Sequence, residues 1–158
     1  MNINPYERLW IGITIAAIIV MLIAITLAGF GLGIQLPGAA GTVDPATLAK
    51  TAPFDKPGQY ELSDGKYQVI MIAYAWGYTP NEIRVPTGSQ IKFKITSRDI
   101  THGFLLEGTN INLMILPGQI SEEKVTFTKP GTYLFLCHEY CGVGHQAMFG
   151  KIIVEDPK

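Results

Sequence analysis

The chain has 158 residues, enough for one domain and a tail, and a formal net charge of −1. That balance excludes a nucleic-acid binder, which needs clustered Lys and Arg to displace counterions from phosphates. Only 16% of residues are charged and the mean hydropathy is positive, so something beyond a globular core raises the apolar fraction.

The apolar excess lies at the front. No residue from Leu9 to Val43 is charged, and within that span runs "LWIGITIAAIIVMLIAITLAGFGLG". A helix needs roughly 20 apolar residues to cross a bilayer. Tyr6 and Trp10 fall where an interfacial aromatic belt would lie, and the hydroxyls of Thr14 and Thr26 can bond back to the helix's own carbonyls. The run is too long, and too apolar on every side, for a buried core helix. A cleaved signal sequence would carry a shorter apolar region of about 7–15 residues, although "GAAG" after Pro37 has the small residues of a cleavage site. The reading is one uncleaved membrane anchor over residues 1–36. Arg8 precedes it and no Lys or Arg follows until Lys50, which predicts a cytoplasmic N-terminus and the remaining chain on the outer, periplasmic or extracellular, side.

Residues 37–58 are rich in Gly, Pro, Ala and Thr, the composition of a linker or irregular segment at the membrane surface. From Gln59 onward, over residues 59–158, short apolar runs alternate with turn chemistry. "YQVIMIAYAW" is a long β-branched and aromatic run. In "QIKFKIT", Ile91, Phe93 and Ile95 share one face and Lys92 and Lys94 the other. "HGFLL", "INLMIL", "KVTFT", "TYLFL" and "KIIV" follow, separated by turns such as "LPGQ" and "KPGT". Many short strands at roughly 8–12-residue spacing predict an all-β sandwich or barrel.

The chemistry is concentrated in "CHEYCGVGHQAMFG", Cys137 to Gly150. It holds both cysteines, two of the three histidines and one of the five methionines. The third histidine, His102, lies upstream in "DITHGF", and a Greek-key return would bring it beside this loop. A Cys137–Cys141 disulfide would leave His145 and Met148 without a purpose, and so short a loop gains little stabilisation. Zinc would take two thiolates and two imidazoles but has no use for the thioether. Copper favours soft sulfur ligands, and one thiolate, two imidazoles and a weak axial thioether make a mononuclear electron-transfer site. The second cysteine suggests two ions. If both thiolates bridge two coppers, each ion takes one imidazole, from His102 or His145. Met148 and the backbone carbonyl of Glu139 then complete the two coordination shells. No position is left for substrate, so the permitted chemistry is one-electron transfer.

At these residues the chain resembles subunit II of the haem–copper terminal oxidases, the cytochrome c oxidases. The family pattern C-x-x-x-C-G-x-x-H-x-x-M runs here from Cys137 to Met148 with Gly142 in place. The upstream D-x-x-H-x-F reads Asp99, His102, Phe104, and Pro130–Gly131 precedes the first cysteine. The likeness covers about Trp76 to Val154. It implies a cupredoxin-like Greek-key β-sandwich carrying a binuclear copper centre, CuA. The implied ligands are His102, Cys137, the Glu139 carbonyl, Cys141, His145 and Met148. It implies electrons received from a cytochrome c and passed to haem in subunit I, where oxygen is reduced to water. One anchor helix where most members have two resembles the B-type branch, in which a separate small subunit supplies another helix. Glu139 matches an acidic residue that in many members helps hold a magnesium ion between subunits I and II. The chain stops at "VEDPK", soon after the last strand, so the donor is expected to be a separate protein.

Asp99 is either the partner of the His102 ring or a turn aspartate at a strand end. His138 should point away from its neighbour Cys137, toward the surface or another subunit. Trp76 and Tyr78 read as core aromatics, with an electron-accepting surface near Trp76 implied by the resemblance. Rival functions are a free membrane-anchored copper carrier, a copper chaperone or sensor, and the copper domain of a nitrous oxide reductase, which would accompany a large catalytic domain.

Overall fold

The computed structural model describes residues 4–31 and 36–156. They fall into two compact units, Met1–Ile34 and Gln35–Lys158. The expected anchor also spans residues 1–3 and 32–35, which lie outside the described residues.

The first unit is one helix, α1 (Pro5–Gly31), 27 residues long. Asn4 caps it: its side-chain oxygen accepts from the Tyr6 amide at 2.9 Å, and Pro5 occupies the first turn, where no N–H is needed. Glu7 in that turn complements the helix dipole. At 1.5 Å per residue, α1 is about 40 Å long, enough to cross a hydrocarbon layer of about 30 Å with some tilt. None of its residues is buried within the chain. From Leu9 onward this helix carries no charge, and an apolar surface left uncovered in this way suits lipid.

The second unit is a two-sheet sandwich. Its strands in chain order are β1 (Gly58–Ser63), β2 (Lys66–Tyr74), β3 (Gly77–Thr79), β4 (Glu82–Pro86), β5 (Gln90–Ser97), β6 (His102–Leu106), β7 (Asn112–Ile115), β8 (Ser121–Thr126), β9 (Gly131–Leu136) and β10 (Phe149–Glu155). One sheet runs β1-β2-β5-β8, with β3 paired to β2; the other runs β4-β10-β9-β6-β7. β2 pairs β5 in parallel, as β10 does β4, and the remaining pairs are antiparallel. The all-β sandwich expected from strand spacing is present.

The alternation in β5 sets the register. Ile91, Phe93 and Ile95 are fully buried between the sheets, while Lys92 and Lys94 face outward and pair with Glu122 of β8 at 2.7 and 3.1 Å. An aromatic cluster fills the centre: Tyr78, Phe104 and Phe135 meet with ring centroids 5.1–6.1 Å apart, and Phe93 adjoins Phe104 at 5.2 Å.

β2 reads as a continuous apolar run because both of its faces are covered. Val69, Met71 and Ala73 enter the sandwich core, while Ile70 faces a second, smaller core with Leu48, Phe54 and Ile120. Leu48 and Phe54 come from residues 37–58. There Asp44 caps a short 3-10 helix at Pro45–Lys50, accepting from the Ala46 amide at 2.9 Å. The Gly- and Pro-rich composition suits the turns of this segment, and its two apolar side chains tie it to the outside of the sheet.

Candidate metal centre

The ligand-type residues gather at one end of the sandwich because β9 and β10 pair directly. Leu136 lies opposite Phe149, and the Cys137 amide donates to the Met148 carbonyl at 3.1 Å. The segment from Cys137 to Met148 is therefore a loop with a closed base. Inside it, Gly142 takes a φ of +110°, a backbone conformation that favours glycine. Its carbonyl accepts from the His145 amide at 3.1 Å, starting the single 3-10 turn His145–Ala147. That turn aims His145 and Met148 back at the cysteines.

The two thiols are 3.8 Å apart, sulfur to sulfur, nearly twice the length of a disulfide bond, and both are free and buried. Cys141 Sγ lies 3.5 Å from His145 Nδ1 and 3.6 Å from Met148 Sδ. Cys137 Sγ lies 3.2 Å from the Glu139 carbonyl oxygen. From β6, the neighbour of β9 in the same sheet, His102 joins them: its ring and both sulfurs present ligand atoms within 4.8 Å of one another.

His102 shows what the cluster is suited to hold. It is fully buried, and its Nε2 lies 2.8 Å from Asp99 Oδ1. A carboxylate only accepts, so Nε2 is the donor to Asp99 and Nδ1 is the ring nitrogen left for another partner. That Nδ1 is buried and has no hydrogen-bond partner among the described residues. A buried, unpartnered ring nitrogen beside two soft thiols and a thioether fits a soft, thiophilic metal ion. Burial raises the pKa of Asp99, but hydrogen bonds from His102 and from the Ala75 and Ile100 amides outweigh it and hold the carboxyl below its usual range. Asp99 is therefore a charged acceptor at neutral pH.

Burial, with the neighbouring Cys137 thiol, pushes the Cys141 thiol up from 9.0 to about 11. A raised thiol pKa favours the neutral form in the folded state. The stability that follows is complete below pH 9, the unfolded value, and is lost as pH rises through about 11. In the metal-free protein the thermal midpoint should hold steady up to about pH 9 and then fall toward pH 11, with the Cys141 part of that fall absent in Cys141→Ala. Calorimetry across this range checks it.

Glu139 and His138 lie at the outer side of the loop. The Glu139 carboxylate is partly exposed, 3.5 Å from His138 Nδ1. The His138 ring rests on Gly103, and its Nε2 lies 3.2 Å from the Leu113 carbonyl; it is outside the His102–Cys137–Cys141 group. Trp76 is 45% exposed and its indole N–H donates to the Cys141 carbonyl at 2.8 Å. The indole lies flat on Gly144, where an added Cβ would meet it at 2.5 Å. Two contacts could not be foreseen from residue types. The buried Tyr78 hydroxyl donates to the Gly103 carbonyl, and the Gly103 amide donates to Cys137 Sγ at 3.4 Å. A glycine directly after His102 was their one trace in the sequence.

Comparison with known proteins places this geometry. Residues 60–156 match the family described as "Cytochrome C oxidase subunit II, periplasmic domain". The chain is 45% identical to cytochrome c oxidase subunit 2 of Thermus thermophilus, over 98% of this chain and 94% of that one. It superposes on a chain of a heme-copper terminal oxidase dimer solved by cryo-EM with a TM-score of 0.73 and 34% identity, covering 95% of this chain and 99% of that one. The periplasmic domain of subunit II of cytochrome oxidase from Bradyrhizobium japonicum shares the fold, with a TM-score of 0.52 at 22% identity over 56% of this chain and 83% of that one.

Proposed function

The chain belongs to the cytochrome c oxidase subunit II family, and from that premise we propose that its buried sulfur and imidazole cluster holds two copper ions. The sandwich is the cupredoxin-like domain of an electron-transfer subunit of a haem–copper terminal oxidase. The observation that carries the copper reading is the unpartnered, buried Nδ1 of His102 beside two unbridged thiols.

Cys137 and Cys141 would hold the ions through their thiolates. His102 and His145 would supply one imidazole each, and Met148 and the Glu139 carbonyl the weak outer ligands. Copper held in this way supplies one-electron redox chemistry. This chain's residues provide the rest. Cys137 and Cys141 as thiolates offset most of the metal charge, which suits a buried site. Asp99 keeps the proton on His102 Nε2 and so leaves Nδ1 free to bind. The sheet-anchored base of the loop holds the donors in place whichever charge the centre carries. Burial of both sulfurs and of Met148 excludes water and substrate, so oxygen chemistry is left to the haem subunit.

In the intact oxidase, electrons would come from a cytochrome c docked near the exposed Trp76 and leave for haem in subunit I. That α1 is the one helix of membrane-crossing length among the described residues supports a B-type arrangement with a separate small single-helix subunit. Arg8 supports a cytoplasmic N-terminus, with the copper domain on the periplasmic or extracellular side. The Glu139 carboxylate, partly exposed, would share a magnesium ion with subunit I. Residues 1–36, 37–58 and 59–158 would then serve as anchor, connector and copper domain.

Copper analysis and EPR of the full chain test the central claim: two coppers per chain with one unpaired electron spread over both. One copper, or none, overturns it. Asp99→Asn should weaken copper retention against a chelator by about 10–100-fold, the usual cost of removing a ligand's supporting partner. Unchanged retention would confine Asp99 to its turn.

A further inference from the structure

Gly103 is held from both sides at the closest approach of β6 to the ligand loop. Its N–H donates to Cys137 Sγ at 3.4 Å, and its carbonyl accepts from the Tyr78 hydroxyl. An added Cβ would sit 2.5 Å from the His138 ring and 2.7 Å from the His138 amide nitrogen. Only glycine fits, and glycine offers no side chain to keep its own peptide planes oriented. The β6–β7 pairing holds one edge of the strand here, with Gly103 opposite Met114; on the other edge the Gly103 carbonyl is held by Tyr78. Its ring is locked between Phe104 and Phe135, edge-on at 6.1 and 5.2 Å, and it is 2% exposed.

We propose that Tyr78 is a positioning residue for the metal centre: through Gly103 it aims a backbone N–H at Cys137 Sγ, and so makes that sulfur the weaker electron donor of the pair. The inference rests on the reading of Cys137 and Cys141 as copper ligands. A hydrogen bond to a thiolate withdraws electron density from it and favours the reduced metal. Cys141 Sγ instead contacts Cys137, His145, Met148 and its own backbone N–H, with no N–H reaching it from a neighbouring strand among the described residues. Without the Tyr78 hydroxyl the Gly103 carbonyl would be a buried, unpaired acceptor, costly enough to turn its peptide toward another partner. The neighbouring amide would turn with it and leave the sulfur.

Tyr78→Phe in the copper-loaded complex tests this, because the ring and its packing stay. The potential should fall. At a fixed poise the reduced-to-oxidised ratio should drop about fivefold, the worth of one neutral hydrogen bond, with a shifted sulfur-to-copper absorption band. A variant with full copper and the wild-type ratio and band overturns the inference. Should Tyr78→Phe fail to fold, the wild type decides. With ¹⁵N-glycine labelling, electron–nuclear double resonance should show a glycine amide coupled to the centre besides that of Gly142, which follows Cys141 directly, and the absence of this second coupling overturns the inference. A wild-type chain without a paired-copper signal overturns the copper reading itself, so the two failures are distinct.

Discussion

Cys141→Ser should abolish donor-driven oxygen consumption by the complex, with a fall of more than about 100-fold, beyond what losing a mere supporting partner costs. Its sulfur is the hub of the cluster, in reach of Cys137 Sγ at 3.8 Å, His145 Nδ1 at 3.5 Å and Met148 Sδ at 3.6 Å. A serine hydroxyl is a hard donor with a high pKa. It can neither bridge nor neutralise two soft ions. Copper per chain should drop from two to one or none, and the shared-electron EPR signal should vanish. Because the oxygen chemistry lies in the haem subunit, a chemical reductant that reaches haem directly should still support turnover. Two retained coppers with normal donor oxidation would remove Cys141 from the ligand set.

The second large effect lies at Gly150 in β10. A methyl group there would meet Phe135 at 2.2 Å and the Asn81 carbonyl at 2.5 Å. Phe135 is wedged among Tyr78 and Phe104 and has nowhere to move. The Asn81 oxygen is backbone, already accepting from the Lys151 amide at 2.9 Å. Gly150→Ala therefore forces overpacking rather than a rotamer change. It should cost about 3 kcal/mol, a fall in thermal midpoint of more than about 10 °C for a domain of this size. Phe135 is two residues before Cys137, so copper should be lost at the same lowered temperature. Differential scanning calorimetry, with copper release followed in parallel, reads both.

The strands were legible because period-2 alternation survives wherever one face meets the core and the other meets water, as in β5. The sulfur and imidazole cluster was legible because both cysteines and two of the three histidines crowd one loop. Legibility ended where structure depends on isolated contacts. Leu48 and Phe54 sit singly in a Pro- and Gly-rich stretch, with no periodicity to announce that they cover β2. The parallel pairings of β2 with β5 and β4 with β10 leave no local mark, since pairing depends on which edges meet after collapse. Tyr78 read as one more core aromatic. Its hydroxyl acquires meaning only once β6 lies across from it.

Strand β10 has a temporal consequence. It follows the ligand loop in sequence, yet it lies in the interior of its sheet, between β4 and β9. The base of the loop, Cys137 amide to Met148 carbonyl, exists only when β10 has inserted between them. During synthesis both thiols emerge before the strand that secures them. The nascent chain must stay open across the middle of a sheet until that strand arrives. The closed base that brings Met148 back beside the cysteines is therefore among the last features of this domain to be completed.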